Sequence, residues 1–500
     1  MNQDFNKPVL VIVGGGTAGW MAANYCHHQL KAHWQVVVIE SDRIGTVGVG
    51  EGTTPYIRQF FASIGLQESE WMPACDATYK CGIRFPGWST RKGFTSYYHP
   101  FFSALDLPHG DTFFEQANQR RYHHEAVTSQ PDHYFLASYL SSRGLSPASY
   151  SDPQTPIDYA YHFDAAKLGH YLRDVAKRRG VRHIQDTVEH VTCDAEGNIA
   201  SLSTTGGDII AADYFIDCTG FRGLLIEQTL HDPFVSFSDN LLNNAAVAVQ
   251  TPLDANTVAP TETRSKALAN GWMWQIPLTQ RQGNGYVYSR DFCTADDAEM
   301  ALREQLGLSD ELSCRHLTMR VGRRTAHATK NCMAIGLSQG FIEPLEATAL
   351  MLVQFSLQIF CAQLLQAGVT LATDASRQQQ INTTINRLFD GVRDYIVAHY
   401  KTNSRTDTEY WRVNREDTPV SDTLQAILSA WREGKPMEPV LNDHAASLVY
   451  LRPSWYCLLA GMDETGRYHN LDNSRIGKPD KKAIEAQAHY LSLCARFSRA

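Results

Sequence analysis

Five hundred residues, 43% hydrophobic and 20% charged, describe an ordinary globular chain with enough apolar material for one elaborate domain or two domains with real cores. A net charge of -8 with no Lys/Arg block argues against a nucleic-acid partner, because contact with phosphates needs clustered positive charge. Eleven cysteines without a C-x-x-C pair point to reduced thiols rather than a disulfide framework or a zinc site, and the start "MNQDFNKP" shows no basic leader with a cleavage site, so a cytoplasmic protein is expected.

In chain order, "PVLVIV" (Pro8 to Val13) predicts a strand, "GGGTAGW" a turn, the residues to about Lys31 a helix, and "QVVVIE" (Gln35 to Glu40) a second strand. This βαβ unit carries G-x-G-x-x-G at Gly14, Gly16 and Gly19, with Thr17 and Ala18 inside it and Glu40 21 residues after Gly19. Such spacing serves a tight turn, close backbone approach to a pyrophosphate, a helix against a sheet, and a carboxylate for ribose hydroxyls. The motif occurs once, so one dinucleotide is expected. "GVGEGTTP", with Gly50, Glu51 and Gly52, reads as a second glycine-rich loop.

Residues from about 70 to 150 are rich in aromatics, histidines and prolines and read as loops and short elements covering a site. "YHHE" (Tyr122 to Glu125) lacks the spaced partners of a metal centre, so no metal is assigned. "DAAKLGHYLRDVAKRRGV" predicts a helix opened by Asp164 and closed by Gly180. A β-meander through Val188 follows, returning to a core strand "YFIDCTG" with Asp217 and Gly220 at its end. "GWMWQIP" spaces Trp272 and Trp274 as a strand does, and Pro277 ends it or marks an edge. "ALMLVQFSLQIFCAQLLQAGV" (Ala349 to Val369) is interrupted by four glutamines and a serine, and so predicts a core helix, not a membrane span. From about Ala347 onward the pattern is mostly helical.

Taken together, "GGGTAGW", "GVGEGTTP", "TYKCGIRFPGW", "AYHFDA", "IDCTGFRGLL", "GWMWQIPL", "GNGYVYSRDF" and "NCMAIGLSQGFIEPLEATAL" resemble, in order, the flavin-dependent tryptophan halogenases. The resemblance implies bound FAD, reduced by a separate flavin reductase, with chloride or bromide as co-substrate and a small aromatic as acceptor. Hypohalous acid would reach the lysine matching Lys80, which holds or carries the electrophilic halogen. Glu346 in "PLEAT" matches the glutamate that positions the substrate and helps remove its ring proton. Backbone N–H groups at Thr348 and Ala349 would hold the halide, His99 would lie along the substrate ring, and Trp272 and Trp274 would wall the flavin from the substrate. Leu337 joins the cofactor set.

Two departures from the pattern bear on the substrate. The family's serine, threonine and glycine after the glutamate are Ala347, Thr348 and Ala349 here, which alters the usual lysine contact and the halide fit. The phenylalanine-tryptophan pair near the C-terminus is Val449 and Tyr450, and the glutamate that meets the tryptophan ammonium has no counterpart. A zwitterion would be poorly held in such a pocket. An indole or another electron-rich aromatic is therefore expected, with tryptophan a candidate.

The fold class expected is α/β: an FAD-binding Rossmann-like module with an inserted mixed sheet over 1–370, then a mainly helical, substrate-covering region over 371–500. No membrane partner is expected, and a homodimer is allowed. Two other functions fit the cofactor loops: an FAD-dependent aromatic hydroxylase, and a catalytically silent FAD-binding protein.

Overall fold

A computed structural model describes residues 7–42, 50–123, 127–150, 152, 154–253, 258–309, 312–464 and 479–500. Gly48 and Val49 of the second glycine-rich stretch, and His124 and Glu125 of "YHHE", lie outside them.

The apolar run Val9–Val13 forms the inner strand of a six-stranded sheet ordered Ala328–Thr329, Cys332–Ala334, Tyr214–Asp217, Val9–Val13, Gln35–Glu40, Arg182–Gln185. All neighbours are parallel except the short first pair. Runs such as VLVIV and QVVVIE are apolar on both sides because a parallel sheet is covered on both faces. The helix Thr17–Leu30 packs on one face, and the meander Val188–Cys193, Ile199–Thr204, Ile209–Ala211 covers the other.

A seven-stranded sheet runs Arg315–Thr318, Ala245–Pro252, Arg281–Tyr288, Gly271–Pro277, Glu262–Leu268, Gly82–Pro86, Ser96–Pro100. The strand bearing Trp272 and Trp274 is its central member. Pro277 therefore ends a strand and does not mark a sheet edge.

The predicted helix over 164–181 is Ala165–Arg178; the Asp164 carboxylate caps it by accepting from Lys167 N–H at 3.0 Å, and Gly180 turns the chain out at φ +96°. The predicted late helical region begins at Ala349 rather than Ala347, because Ala347 sits at φ +57° and breaks the run. Its first helix, Ala349–Ala367, is long and apolar enough to cross a membrane; ten of its residues are buried in this protein's own core.

The stretch 70–150 departs from expectation. Besides strands it contains a 17-residue helix, Leu107–His123. Pro108 and Gly110 in its first turn obscure the period, yet Phe113, Phe114 and Ala117 turn one face into the core. "GEG" at Gly50–Gly52 is likewise a strand, paired antiparallel with Ala160–Asp164, and not a loop. One continuous apolar core extends from Leu10 and Trp20 through Trp272 and Phe360 to Tyr395 and Trp455, so C-terminal helices and N-terminal sheets share it.

Candidate active site

Three neighbouring strands of the six-stranded sheet, Tyr214–Asp217, Val9–Val13 and Gln35–Glu40, end side by side, where open parallel sheets bind their ligands. Gly14 follows Val9–Val13 at φ +112°; a Cβ there would stand 2.2 Å from the Cys218 carbonyl oxygen. Gly19 is as tightly held, 1.9 Å by the same measure from the Gly14 oxygen, which brings the helix against the strand. Gly16 precedes the helix Thr17–Leu30 with no side-chain cap, so N–H groups of the first turn are left for a ligand. Thr17 Oγ1 donates to the Ala165 carbonyl at 3.2 Å.

The Glu40 carboxylate lies over Gly15, where any Cβ would collide with it at 1.5 Å, and His183 Nε2 stands 3.0 Å behind it. Val188 is buried directly after the turn in which Asp186 N–H donates to the Glu40 carbonyl at 2.9 Å. Asp217 accepts from the N–H groups of Thr219, Leu225 and Ile226 at 2.8–2.9 Å and from Thr219 Oγ1 at 2.7 Å, so its carboxylate shapes the loop that carries Gly220. The segment holding Leu337 docks on that loop through Ile335 N–H, which donates to the Asp217 carbonyl at 2.9 Å. An uncapped helix start, a side-chain-free cradle and a carboxylate at the second strand's end suit the pyrophosphate and ribose of a dinucleotide.

A second group of residues surrounds Lys80. Lys80 ends the strand Thr78–Lys80 and is wholly buried; Nζ donates to the Thr53 carbonyl at 2.9 Å and lies 5.4 Å from the centre of the Phe101 ring. Desolvation lowers its amine from 10.5 to about 7, and the Glu346 carboxylate opposes that shift only in part. Gly52 faces this amine: a Cβ there would meet Thr263 Oγ1 at 3.1 Å and both His162 Cδ2 and Lys80 Nζ at 3.4 Å. His162 is buried between two threonines, with Nδ1 3.2 Å from Thr78 Oγ1 and Nε2 2.9 Å from Thr263 Oγ1. Burial, then the Lys80 charge, push it well below its ordinary value, so it is neutral. Burial, then Asp164, raise the neighbouring Glu51 carboxyl to about 7.

Glu346 occupies the short turn Pro344–Glu346 and is almost wholly buried. His99 Nδ1 lies 3.0 and 3.1 Å from its two oxygens, and His399 Nε2 lies 3.1 Å from Oε1. Burial alone would raise this carboxyl, but the two imidazoles overcome it and hold the group at about 2. His99, expected along a substrate ring, is buried between Glu346 and Ser454, whose Oγ is 3.0 Å from Nε2. Tyr450 stacks on Tyr395 at 3.7 Å between ring centres and 13°. Thr348 is buried at the uncapped start of the long helix, and Ala349, its first residue, is exposed.

The tryptophans form the third part. Trp272 is fully buried and donates from Nε1 to Glu343 Oε2 at 2.8 Å; Trp274 lies on the same face, 6.3 Å away between ring centres. Gly285 makes room for Trp274, since a Cβ there would be 2.1 Å from the indole. Glu343 Oε2 also accepts from Asn243 Nδ2 and Tyr400 OH, each at 2.8 Å. Burial nevertheless raises this carboxyl, the donors notwithstanding. Glu343, His162 and His399 were not singled out from sequence. Glu343 stood inside the quoted "GFIEPLEATAL", three residues before Glu346, and His162 inside "AYHFDA"; His399 gives no local signal.

The family model for tryptophan halogenase matches residues 9–475. The chain belongs to the tryptophan halogenase family. Relatives of this halogenase include the tryptophan 6-halogenase SttH of Streptomyces toxytricini, 39% identical over 86% of this chain and 85% of the relative. The tryptophan 7-halogenase RebH of Lentzea aerocolonigenes is 37% identical over 91% and 89%. Among solved structures, BrvH, a flavin-dependent halogenase from Brevundimonas sp. BAL3, matches at TM-score 0.83 and 30% identity over 99% of this chain and 98% of its own. The halogenase uses FADH2 supplied by a separate flavin reductase, together with halide.

Proposed function

We propose that this halogenase transfers chlorine or bromine to an indole-type, electron-rich aromatic that does not need amino-acid recognition, in the cytoplasm. The observation that carries this reading is the pairing of a buried amine near neutrality, Lys80, with the buried carboxylate Glu346 whose charge it feels. Glycines 14, 16 and 19, the free N–H groups after Gly16 and the Glu40 carboxylate are the residues that would hold FAD, and Thr348 and Ala349 the halide. The reduced flavin, when bound, supplies hypohalous acid from O2 and halide.

Lys80 donates a hydrogen bond to the hypohalous oxygen in a site where water does not compete. As the ring carbon attacks, the carbon–halogen bond forms and the oxygen–halogen bond breaks. The hydroxide leaves as water with the lysine proton. Glu346, deprotonated across the working range, faces the cationic ring and accepts its proton. Trp272 and Trp274 keep the ring on the lysine side of the wall. The helical region beyond residue 370 contributes Tyr395 and Tyr450 to the cover over the ring.

The test is incubation with FAD, a flavin reductase, NADH and bromide over a panel of indole, tryptophan and phenols, read by mass spectrometry. Bromoindole at higher yield than bromotryptophan is expected. A hydroxylated product independent of halide would instead establish a monooxygenase.

A further inference from the structure

Among the described residues, Lys80 Nζ has a single hydrogen-bond acceptor, the Thr53 carbonyl. Regular strand pairing would not leave that carbonyl free. Gly50, Glu51 and Gly52 stand opposite Asp164, Phe163 and His162 in an antiparallel pair, so the next residue, Thr53, falls opposite Tyr161. Thr53 N–H donates to the Tyr161 carbonyl at 3.1 Å, which makes the two a hydrogen-bonded pair. Such a pair exchanges two bonds, and the second normally runs from the partner's N–H to the carbonyl. Here the Tyr161 N–H donates instead to Thr53 Oγ1 at 3.2 Å, and that hydroxyl gives its own proton to the Tyr161 carbonyl at 2.8 Å. The side chain takes the place of its own carbonyl in the ladder, and the carbonyl is left for the amine.

We propose that Thr53 is a positioning residue for halogenation, acting through Lys80: its hydroxyl closes the ladder so that its carbonyl can hold the amine. Thr53, Tyr161 and Lys80 are all at most 1% exposed, so a partner lost here is not replaced by bulk water. A buried N–H at Tyr161 requires an acceptor. If residue 53 has no hydroxyl, the acceptor at hand is its carbonyl, which turns back into the ladder and releases Nζ. A lysine so released is a flexible four-carbon stem with no fixed direction. Anchor and amine are also tied through one strand: Ala160–Asp164 is the middle member of a three-stranded sheet, with Gly50–Gly52 on one side and Thr78–Lys80 on the other. Tyr161 therefore sets where the anchor lies relative to the strand that carries Lys80. Serine could do the same work at position 53; valine, of the same shape as threonine, could not.

Whether a held amine matters to turnover rests on the role proposed above for Lys80, but whether Thr53 holds it does not. Crystal structures of variants decide the second point. In Thr53→Val the carbonyl of residue 53 should lie within about 3.2 Å of Tyr161 N and beyond about 3.5 Å of Nζ, and Thr53→Ser should keep the native arrangement. Lys80→Met should keep the Tyr161 N–H on Thr53 Oγ1, because the hydroxyl and not the amine sets the carbonyl; this variant tests the proposal even if Thr53→Val does not fold. A carbonyl that stays on Nζ in Thr53→Val, or that returns to the Tyr161 N–H in Lys80→Met, overturns it. The activity readout is the partition of bromine between indole and a monochlorodimedone trap in solution. Thr53→Val should lose bromoindole about tenfold or more, with KM for indole unchanged and the difference recovered as trapped hypobromous acid, while Thr53→Ser matches wild type. An equal loss of both products would make Thr53 merely structural and overturn its positioning role. A moved carbonyl with an unmoved partition would uphold the anchoring and contradict the role of Lys80 instead.

Discussion

Lys80→Met removes a charge from a dry site while keeping most of the side-chain volume, and it should make the protein more stable at low pH and not at high pH. The folded-state amine is lowered from 10.5 to about 7 by desolvation. Below pH 7 both folded and unfolded chains carry the proton, and the folded chain bears the whole cost of a buried ammonium. Between pH 7 and 10.5 the unfolded chain binds a proton that the folded one does not, so stability rises with pH across that window. At about 1.4 kcal/mol per pKa unit the cost at pH 6 is about 5 kcal/mol. Methionine also forfeits the donation to the Thr53 carbonyl, about 1.5–3 kcal/mol for a charged donor, leaving a net gain of about 2–3.5 kcal/mol. Urea unfolding of the full chain, followed by tryptophan fluorescence at pH 6 and pH 10, measures it. The variant should have the higher midpoint at pH 6 and an equal or lower one at pH 10. A less stable variant at pH 6, or a gap that does not change with pH, would refute the burial cost assigned to Lys80.

Trp272→Phe leaves Glu343 with two donors in place of three. A loss of about 1.5–3 kcal/mol in the urea midpoint is expected, with the Glu343 carboxyl pushed further up. Gly15→Ala sets a Cβ 1.5 Å from Glu40 Oε2, so FAD retained through gel filtration should fall sharply while the far-ultraviolet circular dichroism is unchanged. Ala347→Gly removes a side chain from the left-handed region, where it costs about 1–2 kcal/mol, and should raise stability by about 0.5–1 kcal/mol once the extra freedom of glycine in the unfolded chain is subtracted.

Much of this arrangement is legible without coordinates because it is written locally. The strand Val9–Val13, the turn at Gly14 and the helix from Thr17 follow one another within twenty-two residues, and period-two tryptophans on a central strand need only their own neighbours to be recognised. Motifs place Lys80 and Glu346, and the coordinates add what motifs lack: the amine is dry, and it feels the Glu346 carboxylate. What escaped is long-range. Trp272 meets Glu343 across 71 positions, and His399 meets Glu346 from the last turn of a long helix, 53 positions away, where no local motif marks it. The helix Leu107–His123 escaped for a local reason, a proline and a glycine in its first turn. "GEG" reads as a loop because glycine is rare in strands, yet here it is a strand in which a Cβ on Gly52 would crowd Thr263 Oγ1 at 3.1 Å.

The central claim is that halogen reaches the aromatic ring by way of the Lys80 amine. It is tested most directly by comparing wild type and Lys80→Met with FAD, reductase, NADH, bromide and indole, while hypobromous acid released to solution is trapped with monochlorodimedone. Wild type should give bromoindole. Lys80→Met should give none above the catalase- and enzyme-free background while still producing trapped hypobromous acid at a comparable rate. Undiminished bromoindole from Lys80→Met would contradict the claim.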